Sequence, residues 1–472
     1  MKAHLFDTCP LLPPAICLMA CIAIGCPLPA GLLLLLLAML TAASLLAGRW
    51  PMVQSAATML CFLVFGMLVA PRPAATVPDG QWTEAVVASV PADRPKTLMA
   101  DLLLPATGGK RRCFIWKDAR SQQIRVGQNL LVRIRDARFI GRADWQPGGD
   151  GFNRLSHLQR LRLRALKWRG SIMERLFTAA PGASPGVHPS VEEEKAKAVL
   201  AAMVLGDKSA LTRELRDAYS TSGAAHILAL SGLHLSIIYL LLTRLTLGRR
   251  RAWLTQLLIV LAIWAYALLT GLSTSVVRSA TMLTVYALFS LGGRRHASLG
   301  VLSFTAILML LADSQSLFDV GFQLSFMSML GILLFHPLIS GWVSLKWMMA
   351  HPPVRWAYEL LGTTVAAQLG TAPLVAYYFG QLPVWFLPAN LVVIPLATLI
   401  LYGAVFTLVV PALGSALLWL VSVLNALLEQ IAALPLASIS GLHPSVLQTV
   451  MVYVLIGVVY ALLRFWHPKP CR

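Results

Sequence analysis

Twelve apolar runs of bilayer length punctuate the chain, and they limit what it can become before any motif is read. A transmembrane helix needs about 20 predominantly apolar residues, and hydrocarbon holds no water to satisfy a loose backbone. Residues 11–28, 31–48 and 52–70 come first, parted by Pro27, Pro29, Arg49 and Pro51. Nine more lie at 226–247, 253–271, 274–292, 297–313, 319–336, 358–378, 386–409, 414–434 and 447–464. The composition agrees: 12% of residues are charged, where soluble domains carry about 25%. The expected fold is a polytopic α-helical membrane protein of about 12 transmembrane helices. Its first run is read as a span and not a cleaved signal, because Pro13 and Pro14 interrupt it and another span follows at once.

An even number of spans puts both termini on one side, and the basic residues say which. Arg49, Arg249 to Arg251, Arg294, Arg295, Lys346, Arg355, Arg464, Lys469 and Arg472 fall on one side, whereas the loops at Pro27, Gly271, Ser314, Gln381 and Ser438 carry almost no Lys or Arg. The positive-inside rule makes the first side cytoplasmic, both termini included, and sends the insert after the third span outside. The net charge of +19 has two readings, basic cytoplasmic loops or an anionic partner. The seven cysteines, Cys9, Cys17, Cys21, Cys26, Cys61, Cys113 and Cys471, sit mostly in apolar segments without paired metal spacing and read as packing residues.

That insert, residues 71–149, changes to short alternating segments: 84–90, 97–104, 111–117 and 130–139, with a hairpin signal at Gly108-Gly109. A small OB-like β barrel is expected. Between Lys110 and Arg142 stand ten Lys/Arg against two Asp. Lys110, Arg111, Arg112, Lys117, Arg133 and Arg135, with Phe114 and Trp116 among them, suit a single strand of nucleic acid, cations for phosphate and rings for bases. A basic soluble module with both rings in its core fits equally. The leucine-striped, basic stretch 152–177 reads as a helix in the membrane interface or, less readily, on DNA. A linker rich in Pro follows to residue 189, then a polar helix over Ser190–Tyr219, with Glu193 three residues after a capping serine.

Within the later spans, the residues that hydrocarbon disfavours mark the candidate site. His226, Ser231 and His234 share roughly a third of the circumference if 226–247 is one helix. Arg278 would cost about 2.5–3.5 kcal/mol facing lipid at mid-bilayer. Gln323 and Ser325, Gln368 and Thr371, and Asn390 repeat the pattern, and Pro373, Pro388 and Pro395 break their helices. Each polar residue is either interhelical glue, at about 0.6 kcal/mol apiece, or part of a wet path. Ser231 beside two imidazoles also admits an intramembrane hydrolase, but the pair has no carboxylate orienter close by in sequence, and Asp207, more than 20 residues before Ser231, lies at or beyond the membrane surface.

HILALSGLHLSII at 226–238 resembles the signature of the ComEC family of DNA internalisation competence proteins. So do VLGDKSALTRELRDAYSTSGAAH, LLTGLSTSVVRSATM, DVGFQLSFMSMLGI and QLGTAPLVAYYFGQLPVWFLPANLVVIPL. The resemblance implies N-terminal helices over 1–70, the β domain over 71–149, a basic helix and linker over 150–189, a channel domain over 190–410 and closing helices over 411–472. It implies a multi-pass channel in the bacterial cytoplasmic membrane, passing single-stranded DNA in natural transformation. Along that path Asp207, Gly223, His226, Ser231, Gly232, His234, Arg278, Gln323, Ser325 and Asn390 would meet the strand. Membrane lipid, a cytoplasmic ATP-driven translocase, an outer DNA-binding competence protein, a separate nuclease and a second copy of the chain are the implied partners. Ser314-Gln315 stand where the family often has an acidic residue and proline. The metallo-β-lactamase-like nuclease domain of many relatives is not in the sequence, Gly108-Gly109-Lys110-Arg111 is no phosphate loop, and neither a metal, a cofactor nor an enzymatic activity is expected. The competing class is a secondary transporter or exporter of a small anionic or lipid-linked substrate; an inverted repeat would favour it.

Overall fold

The computed structural model describes residues 10–25, 29–46, 50–70, 80–93, 96–106, 109–135, 138–148, 152–178, 190–245, 252–291, 298–343, 345–407 and 410–466. Gly108, the arginines at 249–251 and 294–295, the Pro-rich linker and the C-terminal tail lie outside them. The first three spans are α1 (Leu12–Ile24), α2 (Ala30–Leu46) and α3 (Pro51–Val69). The first is shorter than expected because the chain leaves the helix at Gly25, at φ +70°.

The β domain comprises β1 (Trp82–Val87), β2 (Ala92–Asp93), β3 (Thr97–Leu103), β4 (Lys110–Trp116), β5 (Asn129–Arg133), β6 (Phe139–Ile140) and β7 (Trp145–Pro147). Its order is β6-β4-β3-β1-β5-β7, with β2 also on β3 and β4 and β6 parallel. The expected closed barrel is corrected to an open sheet. The outer edge of β5 is taken by β7, so β6 reaches β5 through a single bridge, Arg135 to Phe139. For the same reason the expected strand 130–139 is two strands. Ala85, Val87, Ala100, Leu102, Cys113, Ile115, Leu130, Val132 and Trp145 share one buried core, and burial pushes the Cys113 thiol up to about 12.

The basic helix α4 (His157–Thr178) turns two of its leucines onto the sheet. Leu163 and Leu166 are buried with Val86, Ala88 and Leu103 of the sheet, although Leu161 and Trp168 stay exposed. The expected polar helix 190–219 is two: α5 (Val191–Leu205) and α6 (Arg213–Thr221). Ser190 caps α5 by accepting from Glu193 N–H, and Gly206, left-handed at φ +71°, ends it. Thr212 caps α6.

The span expected at 226–247 is also broken. A one-turn helix α7 (Ala225–Leu228) gives way to extended backbone at Ala229 before α8 (Gly232–Leu245). Then follow α9 (Ala252–Leu269), α10 (Thr274–Leu291), α11 (Ser298–Ala312), α12 (Val320–Ser340), α13 (Leu345–Ala350), α14 (Pro352–Phe379), α15 (Phe386–Thr407), α16 (Gly414–Ala432) and α17 (Val446–Trp466); β8 (Gln381–Pro383) pairs with β9 (Ser438–Ser440). Among the described residues five helical segments are long and apolar enough to cross a membrane: Met52–Val69, Val320–Ser340, Phe386–Thr407, Pro411–Ala432 and Val446–Trp466. Five of the other expected spans fall on shorter apolar helices, and those at 274–292 and 358–378 coincide with α10 and α14. One core joins α5, α6 and α7 to α15 and α16, and another joins α8, α9 and α10.

Candidate functional site

The break between α7 and α8 places the signature residues. Ser231 precedes α8, and its backbone N–H donates to Nδ1 of His234 at 3.3 Å; its hydroxyl lies 3.0 Å from the same nitrogen. This is a capping arrangement in which an imidazole takes the place usually held by Glu or Gln. An accepting Nδ1 leaves the proton of a neutral ring on Nε2, and that atom is buried with no partner among the described residues. His226 lies on the other side of the break, its Nδ1 3.2 Å from Gly223 O. Its side chain is exposed. The single helical stripe expected for the three residues is thereby replaced by two short elements meeting at an extended joint.

The glycines serve packing. A Cβ on Gly223, at φ +84°, would come within 3.2 Å of Pro383 and Phe386, and one on Gly232 would sit 3.2 Å from Ser279 Oγ on α10. Arg278, one residue before that serine, is 3% exposed. Its guanidinium lies against Gly321, where a Cβ would stand 3.1 Å from Nη2. Asp319 is its electrostatic counterpart and caps α12 by accepting from Gly321 N–H at 2.6 Å. Arg278 Nε has no partner among the described residues.

Two residues along α12, Gln323 is held on both sides: its Nε2 donates to Leu317 O and its Oε1 accepts from Tyr378 of α14 at 2.7 Å. Ser325 is half-buried on the same helix. Asn390, on α15, is buried and its Oδ1 is unmet. Thr371 spends its hydroxyl on Ala367 O within α14. Gln368 instead lines an apolar cleft of about 280 Å³ between α14, Phe386 and α17, away from the other polar residues of the expected path. The helices that carry those residues close on one another: α8 packs on α10, α10 on α12, α12 on α14, α14 on α15 and α15 on α8.

Asp207 departs from the expected path. Its Oδ2 lies 3.2 Å from Nη2 of Arg169 on α4, both side chains under 10% exposed, and its Oδ1 accepts from Ser209 N–H. Sequence reasoning passed over Arg169 because it looks like any other cation of a basic helix. Asp319 and Tyr378 were passed over too, although an aspartate just before VGFQ is a legible cap.

On the sheet, β4 points Lys110, Arg112, Phe114 and Trp116 one way and buries Cys113 and Ile115 the other; Arg111 is half-buried. Lys110 and Arg112 both meet Asp101, at 2.7 and 3.0 Å. Arg133 and Arg135 both meet Asp144, at 3.8 and 2.9 Å. Phe114 stacks at 5.6 Å on Phe139, Arg133 lies over Trp82, Trp116 is exposed and Lys117 is half-buried. Four of the named cations are thus partly neutralised.

The competence protein family profile matches residues 203–466, more than half of the chain. ComE operon protein 3 of Bacillus subtilis (strain 168) is 30% identical over 260 residues, which are 52% of this chain and 32% of that protein. An uncharacterized protein of Aquifex aeolicus (strain VF5) is 31% identical over 189 residues, 40% of this chain and 42% of its own length. Uncharacterized protein YcaI of Escherichia coli (strain K12) is 22% identical over 383 residues, 78% of this chain and 50% of its own length. The chain thus spans half or less of the curated relatives it matches. No solved structure matches it.

Proposed function

Since the chain belongs to the competence protein family, we propose that its helical core is a passage through the bacterial cytoplasmic membrane that admits single-stranded DNA during natural transformation. A role in DNA uptake is what the family suggests; the passage is the finer reading. The observation that carries it is the closed circuit of α8, α10, α12, α14 and α15, whose members bear His234, Arg278, Gln323 and Asn390. Polar atoms left unmet on three of those helices, His234 Nε2, Arg278 Nε and Asn390 Oδ1, are what a passage needs: weak, scattered sites that let a strand leave as readily as it enters. Interhelical glue would pair such atoms with each other.

The sheet, on the extracytoplasmic side by the loop charges, would receive the strand on Arg112, Phe114, Trp116 and Phe139. The force for movement and the removal of the second strand are assigned to other proteins. A strain lacking the chain tests the proposal. Labelled DNA should collect outside the inner membrane and fail to reach the cytoplasm, and normal transformation would end the proposal.

A further inference from the structure

We infer that α4 is a strut between the sheet and the passage, and that Arg169 is the positioning residue that locks it. The inference rests on the reading of the α7–α8 break as part of the passage. The middle turns of α4 pack on the sheet. Leu163 and Leu166 share a core with Val86 and Leu103, Lys167 lies over Gly127 in the turn before β5, and Arg162 is within electrostatic reach of Asp101 on β3.

The same middle turns of α4 also meet the helices, and touch both turns that lead into the polar residues. Leu166 occupies the space where a Cβ of Gly271 would stand, and Gly271, at φ +78°, is the turn between α9 and α10, the helix of Arg278. Arg169 donates through Nη1 to Leu205 O and through Nη2 to Asp207, each at 3.2 Å. Gly206, between those two acceptors, lies against Leu230 in the extended joint that joins His226 to Ser231 and His234. One guanidinium therefore fixes the turn on which the joint rests. A planar fork can serve a carbonyl and a carboxylate together, and an ammonium cannot hold that geometry. Removing one partner of a buried pair leaves an uncompensated charge, so truncating Arg169 should strongly destabilise the turn that it holds.

The test is hydrogen–deuterium exchange on the full-length protein in lipid nanodiscs, with and without oligo-dT, beside DNA uptake in cells. In Arg169→Ala, exchange over 225–236 should quicken by about tenfold or more while 82–116 keeps its protection, as expected when one local unit opens without the rest. The exchange change that oligo-dT produces over 225–236 in the unaltered protein should vanish. The double exchange Arg169→Asp with Asp207→Arg should restore much of both. Unaltered exchange at 225–236 in Arg169→Ala overturns the inference, as does simultaneous loss of protection in the sheet, which would make Arg169 plain structural glue. If Arg169→Ala fails to accumulate in the membrane, Arg169→Lys is judged by the same criteria. Were oligo-dT without effect on the unaltered protein, the passage reading would fall, and the exchange rates without DNA would still decide the strut.

Discussion

The sheet and the helical core treat polar groups in opposite ways. On the sheet two aspartates each gather two cations, and the cations remain wet, Arg112 at 64% and Arg135 at 60% exposed. In the core Arg278, His234 and Asn390 are buried, and each keeps one polar atom that no group among the described residues meets. An exposed ion pair contributes about 0–1 kcal/mol and is screened by salt, so no single cation on the sheet is indispensable. A buried unmet donor or acceptor costs roughly 1–3 kcal/mol. Groups of the second kind are expensive to keep, and their positions are therefore the informative ones.

The contrast is most exposed at Arg278. Arg278→Glu sets a second carboxylate against Asp319, and DNA uptake should fall to that of a strain lacking the chain while membrane yield is retained; surviving uptake would return Arg278 to a structural role. Asn390→Leu tests the same idea from the side of stability. Replacing an unmet acceptor by an apolar group of similar shape should leave thermal unfolding in detergent unchanged or raise its midpoint. Uptake should nevertheless drop about tenfold, the loss of one shared contact worth about 1.4 kcal/mol. A lower midpoint with normal uptake would make Asn390 glue. Ser231→Ala should matter less. The backbone N–H to His234 survives and only the hydroxyl goes, costing about 1 kcal/mol of cap, so most uptake should persist, whereas a hydrolase built on Ser231 would be dead.

Legibility followed the length scale of the physics. Apolar periodicity is local, and α1 to α3, the strands over 97–103 and 110–116 and α15 to α17 stand close to where hydropathy and alternation put them. The cap at Ser190 was legible because its signal spans three residues. What the sequence could not carry was closure and pairing. The barrel stays open because β7 takes an edge of β5, a competition between strands that no single strand records. The joint at Ala229 is stabilised by Ser231 and His234 at one end and by Leu230 on Gly206 at the other, the second contact lying across 24 residues of chain. Asp207 was placed on the path because it lies near the signature in sequence, and its partner Arg169 comes from a helix read as interfacial.

The smaller effects belong to the sheet, and they are the ones that pairing predicts. Arg133→Ala with Arg135→Ala should weaken oligo-dT binding by a few-fold and nearly equally for every sequence. The salt dependence should become shallower by about 0.7 for each phosphate contact removed, measured as log affinity against log salt. A change in sequence preference would mean base contacts instead. Asp101 gives the slightest effect and a defined sign. Burial pushes its carboxyl up, but Lys110 and Arg112 outweigh burial and leave it below its ordinary value. A carboxyl depressed on folding stabilises fully above its unfolded value of about 3.9 and loses that contribution as pH falls through the folded value. Protection of 97–116 from exchange should accordingly weaken as pH falls below about 4, and Asp101→Asn should flatten that dependence by lowering protection at pH 7 slightly, toward its acid level. If the asparagine variant instead lost the strands at neutral pH, the sheet would depend on its charges as the core depends on its own, and the contrast between the two regions would be gone.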